Sequence, residues 1–262
     1  MFSLFLSRAL STTIAIDIGS ENFKTSTVEG TKQSKMRNFP AYFAIWNESD
    51  KSYVKNDTWT VEDLYQSKWL FFDKAKEVAE ENPELVVRGF TPLSGSQRGI
   101  PNKLVFTALL KEMYSNVSSY NPMNPVIFTV PASMNRTDRF ILQECSDLLS
   151  LNLVAIVDQH TAMAAQFIQI NQSAFSKKPM NVMFLDIGAR KTWYTIFNFF
   201  LNSKTHYTPN GDQLLQETFQ IGGDALDQQF VDKLEDASGV ENHSFYLQEA
   251  QRLKQHILAG KD

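Results

Sequence analysis

The sequence contains almost no cysteine and no long apolar run. Cys145 is the single cysteine among 262 residues, so an internal disulfide cannot form, and no Cys-X-X-Cys or Cys/His cluster offers a zinc or haem site. No apolar stretch approaches the roughly 18 residues that a membrane-spanning helix needs. We therefore exclude a disulfide scaffold, a zinc or haem protein and a membrane-spanning helix.

An excess of charge of one sign is also lacking. The 25 Lys and Arg residues are balanced by 29 Asp and Glu residues, which gives a net charge of −4. No basic field is available to attract a phosphate backbone, so nucleic acid is not an expected partner. Hydrophobic residues make up 43% of the chain and charged residues 21%, which is typical of a globular protein.

Residues 1–12 form a candidate signal segment of unusual layout. Their short apolar run precedes Arg8, whereas a signal peptide places its basic residue first, so secretory targeting and an ordinary N-terminus both stay open. Six glycosylation sequons favour a lumenal compartment, although an Asn- and Ser-rich composition could produce them by chance. They begin at Asn47, Asn56, Asn116, Asn135, Asn171 and Asn242.

Hydrophobic periodicity predicts alternating strands and helices. Strands are expected at 13–18, 23–28, 41–46, 125–131, 153–157, 182–187 and 192–200, and helices at 63–81, 103–114, 135–150 and 161–170. Asn135 is the expected N-cap of the third helix, with Asp138 as its capping acid. In the second helix the expected apolar face comprises Leu104, Phe106, Leu109, Leu110 and Met113. This succession predicts parallel crossovers and an α/β architecture.

A repeated motif is the main chemical signal. AIDIGSENFKTSTV and FLDIGARKTWYTIF each place an aspartate, Asp17 or Asp186, at the end of a strand and a glycine two residues later. Two such hairpins suit a polyphosphate, because glycine lets backbone N–H groups approach phosphate oxygens while the carboxylates hold a hydrated Mg²⁺. The alternative is that Asp-Ile-Gly merely closes a strand.

Six segments in this order resemble the Hsp70 superfamily of ATPase chaperones, which has an actin-like nucleotide-binding fold. They are IDIGSENFK, VIFTVPASMNRTDR, LVAIVDQHTAMAA, LDIGARKT, QIGGDALDQQFVDKL and EAQRLKQHILAG. Within the superfamily, the Ser-Glu-Asn loop and the EAQRLK segment most resemble the endoplasmic-reticulum Grp170, or hypoxia up-regulated, branch, which is sister to Hsp110. The resemblance implies an α/β fold of two duplicated lobes with mixed sheets and flanking helices.

The resemblance also implies site residues, with ATP or ADP and Mg²⁺ as cofactors. Asp17 and Asp186 would lie beside the metal and take part in catalysis, and Lys68 would contact phosphate. The residues implied in nucleotide binding are Gly19, Ser20, Glu21, Asn22, Pro131, Gly188, Ala189, Thr192, Gly222, Gly223, Arg252 and Lys254.

Two departures from the family pattern predict weak turnover. Gln159 stands where efficient members carry a glutamate that positions the attacking water, and an amide cannot act as that base. Ala189, Arg190 and Lys191 replace a glycine run in the second loop, where their side chains would either attract or obstruct phosphate.

The resemblance implies three regions: the candidate signal segment 1–12, lobe I at 13–180, and a partial lobe II at 181–262. The family's remaining domain parts would lie beyond residue 262, so we expect either a C-terminally truncated fragment or a degenerate copy.

The expected functions of the chain are a slowly hydrolysing ATP-binding chaperone, or a non-hydrolysing exchange partner of a conventional Hsp70. A sugar kinase or actin-like filament protein is a third alternative. Expected partners are a conventional Hsp70 of the same compartment and, through parts outside this chain, unfolded clients. The expected location is the endoplasmic reticulum lumen, or alternatively the cytoplasm.

Overall fold

The computed structural model describes residues 12–29, 32–33, 36–47, 52–53, 67–82, 85–89, 92–97, 100–117, 121, 123–171, 179–201, 209–239 and 243–258. The chain divides into two compact units, unit 1 at Met1–Ala162 and unit 2 at Met163–Asp262. The expected lobe boundary at 180/181 and the signal segment stay predictions, and residues 1–11 lie outside the described part. Among the described residues, no helix has the length and apolar character needed to cross a bilayer.

The described strands and helices follow one another in mixed order along the chain. The strands are β1 Thr13–Ile18, β2 Asn22–Glu29, β3 Lys32–Gln33, β4 Arg37–Pro40, β5 Tyr42–Asn47, β6 Ser52–Tyr53, β7 Ser67–Phe71, β8 Val86–Arg88, β9 Ser96–Gln97, β10 Ile100–Pro101, β11 Pro125–Val130, β12 Asn152–Asp158, β13 Met180–Ile187, β14 Thr192–Leu201 and β15 Pro209–Phe219. The helices are α1 Asp73–Glu81, α2 Asn102–Val117, α3 Arg136–Leu148, α4 Gln159–Ile170, α5 Gly223–Ser238 and α6 His243–Leu258.

The main sheet of unit 1 is mixed, as the sequence predicts. Its order is β12-β11-β1-β2-β3, and β4 also pairs with β2. Strands β1, β11 and β12 run parallel, whereas β1 and β2 form an antiparallel hairpin. Helix α3 connects β11 to β12. Because the carboxyl ends of parallel strands meet at one edge, this topology places the ends of β1, β11 and β12 together.

The core of unit 1 lies between this sheet and helices α2 and α3. Ile14, Ile16 and Phe128 point into it from the strands, and Phe106 packs edge-on against Phe23. Cys145 is fully buried, as a structural thiol should be, and burial raises the pKa of that thiol.

The expected apolar face of α2 is wrong at one position. Leu104 is 43% exposed, whereas Val105 and Tyr114 are buried. At 100° per residue, Leu104 lies on the opposite side of the helix from Leu109 and Met113, which are both buried.

The predicted helix at 63–81 is wrong in its first part. Residues 67–71 form β7, which pairs antiparallel with β5, and the helix begins only at Asp73. Aromatic residues favour strands, and Trp69 stacks on Phe43 across the pair with ring centroids 6.1 Å apart. Phe72 has a positive φ of 58°, and the chain changes direction at this residue between the strand and the helix. Positions 63–66 of this prediction lie outside the described residues.

Unit 2 contains an antiparallel sheet in the order β13-β14-β15 and the helix pair α5 and α6. The predicted strands at 182–187 and 192–200 are confirmed within β13 and β14, whereas β15 was not predicted from the sequence. The buried face of the sheet carries Phe197 and Phe199, which pack with Ala164 and Phe167 of α4. On the other face, Met183, Leu185 and Ile187 of β13 are more than half exposed.

Candidate functional site

The first loop of the repeat turns tightly between β1 and β2. Ile18 pairs with Phe23, so the turn comprises Gly19 to Asn22. A Cβ atom on Gly19 would lie 2.5 Å from the carbonyl oxygen of Asn22, a distance that no real side chain tolerates. Glycine is therefore required here by close backbone approach, and Ser20, Glu21 and Asn22 follow it, all half-buried.

Asp17, at the end of β1, lies in a hydrogen-bond network. Its Oδ1 atom accepts bonds from the Thr129 hydroxyl at 2.7 Å and from the Gln159 amide Nε2 at 2.8 Å. Thr129 belongs to β11 and Gln159 begins α4, directly after β12, so all three parallel strands contribute to the network. The amide of Gln159 is thus engaged with the carboxylate. An ionised glutamate in its place would bring two like charges into contact.

Glu21 is held by a buried tyrosine that the sequence analysis missed. The Tyr42 hydroxyl donates to Glu21 Oε1 at 2.7 Å, and the backbone N–H of Ala41 donates to the Glu21 carbonyl oxygen at 2.7 Å. The Arg88 guanidinium carbon lies 5.9 Å from the centre of the Tyr42 ring, a cation–π distance. Burial, with the adjacent Glu21 carboxylate, raises the pKa of Tyr42 to about 12.

The end of β12 is fixed by an ion pair. Arg139 Nη2 contacts Asp158 Oδ1, and Arg139 Nε donates to the Met134 carbonyl oxygen at 3.0 Å. The Pro131 carbonyl oxygen accepts from the Met134 N–H at 2.8 Å, which forms a turn directly after β11. Pro131 therefore lies in the connection that leads from β11 to α3, with its side chain half-buried.

The second loop follows Asp186 near the end of β13. The Gly188 N–H donates to the Lys191 carbonyl oxygen at 2.9 Å and closes the turn. The N–H of Gly223 donates to the Gly188 carbonyl at 2.9 Å, and the N–H of Asp224 donates to the Ala189 carbonyl at 2.7 Å. The structure therefore joins the second loop to the first turn of α5, two segments that lie more than 30 residues apart in the sequence.

Gly222 is required by this junction. A Cβ atom there would lie 2.6 Å from the Gly188 carbonyl oxygen, so the loop and helix could not approach. Thr192 adds a bond from its hydroxyl to the Ile221 carbonyl oxygen at 2.7 Å. Arg190 lies 3.7 Å from Asp224 across the same junction, in a half-exposed ion pair.

Lys254 connects α6 to α5 next to the glycine pair. Its ammonium lies 2.6 Å from Asp227 Oδ2 and 3.3 Å from the Gly223 carbonyl oxygen. Asp227 is only 1% exposed, and within the described part of the chain its Oδ1 atom has no hydrogen-bond partner. Arg252 instead lies at the surface and pairs with Glu249 at 2.7 Å, so the structure does not bring Arg252 to this group.

Lys68 also lies outside these groups. It is exposed on β7 and pairs with Trp46, four residues along β5 from Tyr42. At about 3.3 Å per strand residue, its backbone is roughly 13 Å along the strand from the Tyr42 contact with Glu21. The phosphate contact implied for Lys68 stays a prediction that this placement does not favour.

Two contributing residues were missed from the sequence. Thr129 is the one hydroxyl in the otherwise apolar run PVIFTVP, and this polar position in a buried strand was an available signal. No sequence pattern marked Tyr42 as a site residue. Its contact with Glu21 joins residues 21 positions apart and forms only when the chain folds.

The donors present fit a hydrated magnesium ion better than a fully protein-bound one. No group of three His, Cys, Asp or Glu side chains that could hold a metal occurs among the residues that the structure describes. Mg²⁺ usually binds through one or two carboxylates and takes its remaining ligands from water and phosphate. Asp17 near the end of β1 and, separately, Asp186 near the end of β13 each offer one carboxylate for such an ion.

Several curated proteins similar to this chain are named hypoxia up-regulated protein 1. That of Xenopus tropicalis is 23% identical over 87% of this chain and 39% of its own length. Those of Xenopus laevis and Mus musculus are 24% and 22% identical over 76% and 73% of this chain, and over 35% and 22% of their own lengths. The chain thus spans about two-fifths or less of these relatives. No family model matches the chain.

A crystal structure of MreB5 of Spiroplasma citri bound to ADP is similar in fold. Its TM-score is 0.62 at 15% identity, and the match covers 92% of this chain and 61% of that one. The expected actin-like ATPase fold is therefore confirmed. The relatives' names agree with the resemblance to the hypoxia up-regulated branch of the Hsp70 superfamily.

Proposed function

We propose that this chain is an ATP-binding Hsp70-family chaperone subunit that hydrolyses ATP slowly. The observation that carries the proposal is the pair of Asp-Ile-Gly hairpins, each with an aspartate at a strand end and a backbone turn closed around glycine. The similarity to an ADP-bound structure and to hypoxia up-regulated proteins supports it.

The chain's own residues would bind the nucleotide chiefly through backbone donors. N–H groups in the turns after Asp17 and Asp186 would face phosphate oxygens, an arrangement that suits anions. Lys254 and the Gly222-Gly223 turn would lie on the nucleoside side. When bound, Mg²⁺ would neutralise phosphate charge. Asp17, held by Thr129 and Gln159, would retain its other carboxylate oxygen for water of the metal.

Slow hydrolysis is proposed because of Gln159. Its amide donates to Asp17 Oδ1 at 2.8 Å and carries no basic oxygen able to accept a proton from water near neutral pH. The same contact also favours the alternative function, a non-hydrolysing co-chaperone or nucleotide-exchange partner of a conventional Hsp70. Arg190, paired with Asp224, adds a bulky side chain to the second loop.

We also propose a location in the endoplasmic reticulum lumen, with a conventional Hsp70 of that compartment as partner. The relatives' branch and the six sequons support this location. Unfolded clients would be bound by parts of the longer relatives outside this chain. Expression in mammalian cells followed by endoglycosidase H treatment tests the location. We expect a mobility shift, and an unshifted protein found in the cytosolic fraction would favour the cytoplasmic alternative.

Calorimetric titration with Mg·ADP and Mg·ATP tests nucleotide binding. We expect binding by the wild-type chain and its loss in both Asp17→Ala and Asp186→Ala. Asp212→Ala is the matched control, because Asp212 is an exposed aspartate on β15 away from both loops. Its binding should equal that of the wild type.

The same titrations, together with an assay of phosphate release from ATP, separate the two candidate functions. Binding of both nucleotides, with phosphate release detectable only over many minutes, supports the slow ATPase, whereas binding without release supports the co-chaperone. If a folded wild-type chain binds neither nucleotide, the nucleotide-dependent proposal is overturned.

A further inference from the structure

We propose that Tyr42 is a positioning residue that holds the Glu21 carboxylate away from the phosphate side of the first loop. The inference rests on the proposed nucleotide function and assigns a role to a residue outside the Asp-Ile-Gly motif. Its basis is the contact between the Tyr42 hydroxyl and Glu21 Oε1 at 2.7 Å.

A glutamate in this loop presents an electrostatic problem. Glu21 lies in the turn whose backbone donors would bind phosphate, and a free carboxylate there would repel the anion and occupy the same N–H groups. The structure fixes both parts of Glu21. Its side chain accepts from Tyr42, and its carbonyl oxygen accepts from the N–H of Ala41, the residue next to Tyr42.

The surroundings of Tyr42 make it a rigid anchor. The side chain is 5% exposed at the start of β5, and that strand pairs with both β7 and β8. Strand β8 places Arg88 opposite Tyr42 in the register, with its guanidinium carbon 5.9 Å from the ring centre. The strand pairing and the cation–π contact together restrict the orientation of the Tyr42 ring.

The role of Glu21 is therefore different from that of its loop neighbours. Its backbone completes the phosphate-binding turn, whereas its carboxylate is held by Tyr42 away from the turn's backbone donors. Removal of the Tyr42 hydroxyl would free a charged side chain next to the phosphates, and removal of the Glu21 charge would make that loss harmless. This dependence on charge distinguishes positioning from simple packing.

Calorimetry on the full chain tests the inference with Mg·ADP and adenosine as probes. We expect Tyr42→Phe to bind Mg·ADP about five- to tenfold more weakly, as expected for one lost charge-assisted hydrogen bond, with adenosine affinity unchanged. In the Glu21→Gln background the same substitution should change Mg·ADP affinity by less than about twofold. Tyr114→Phe is the matched control, because Tyr114 is also buried and donates to the Asn121 carbonyl oxygen at 2.8 Å.

Three results would overturn the inference while nucleotide binding by the wild type stands. They are unchanged Mg·ADP affinity in Tyr42→Phe, an equal loss for adenosine, and a loss that persists in the Glu21→Gln background. Glu21→Gln alone gives a test that does not depend on folding of the tyrosine variant. Because it removes a negative charge beside the phosphates, it should bind Mg·ADP more tightly than the wild type, and loss of binding would show the carboxylate to be a ligand and overturn the inference. If the wild-type chain binds no nucleotide, both the proposed function and this inference are overturned.

Discussion

The side chain of Asn135 fixes the N-terminus of α3. Its Oδ1 atom accepts from the Asp138 N–H at 2.8 Å, and Asp138 in turn accepts from the Ser94 N–H at 2.9 Å. We expect Asn135→Ala to lower the free energy of unfolding by about 1 kcal/mol, measured by urea denaturation, because a helix donor loses its partner. Thr137→Ala removes the same glycosylation sequon at an exposed position and should change stability by less than about 0.5 kcal/mol. Equal effects would contradict the cap.

The raised pKa of the Tyr42 phenol leads us to expect that the free energy of unfolding falls at alkaline pH. Its pKa is raised from 10.0 to about 12 by burial and by the neighbouring Glu21 carboxylate, so the native state holds the proton more tightly than the unfolded state. The stabilisation is therefore complete below pH 10 and is lost as the pH rises toward 12. It amounts to about 3 kcal/mol at most. Urea unfolding from about pH 9 to 11.5 should show a steeper decline for the wild type than for Tyr42→Phe, and parallel curves would contradict the assignment.

Helices α5 and α6 are joined by the pair of Lys254 and Asp227. The Asp227 side chain is almost fully buried, and Lys254 is the cation that neutralises it at 2.6 Å. We expect Lys254→Met to lower the free energy of unfolding by about 3 kcal/mol, because a carboxylate is left buried without a counter-charge. Arg252→Met removes an exposed pair on the same helix and should cost less than about 1 kcal/mol.

A second variant tests the cause of this loss. Lys254→Met combined with Asp227→Leu removes both charges and should recover most of the stability, because a well-packed apolar pair can replace a buried ion pair. Denaturant titrations of the single and double variants provide the comparison. A double variant as unstable as Lys254→Met would show that packing, and not the unpaired charge, causes the loss.

Local sequence patterns predicted most elements, and the exceptions have physical causes. The hairpin of β1 and β2 and the cap at Asn135 depend on residues close in sequence, so both were predicted correctly. The strand β7 was misread as helix, because its aromatic residues gain their stability from pairing with β5, about 25 residues away. Tertiary pairing overrode a helical pattern there, as it commonly does in short segments.

The candidate site, too, was predicted from the sequence only where it depends on local motifs. The duplicated motif located Asp17 and Asp186 at corresponding strand ends, one in each unit. The contacts that fix these loops join distant residues: Gln159 reaches Asp17 across 142 positions, and Tyr42 reaches Glu21 across 21. Such contacts depend on sheet order, which a single sequence specifies only through the complete fold.

The described cores of the two units differ in size, and this difference predicts unequal local stability. Strands β11 and β14 are both central in their sheets, with partners on either side. The core around β11 includes residues from α2 and α3, whereas the cluster beneath β14 has, among the residues that the structure describes, three buried members, Ala164, Phe197 and Phe199. Because local opening becomes easier as buried apolar contact falls, backbone amides of β14 should exchange at least about tenfold faster than those of β11. Hydrogen exchange followed by mass spectrometry measures both strands in one sample. Equal protection would show that core size does not set the local stability of unit 2, and stronger protection of β14 would reverse the predicted order.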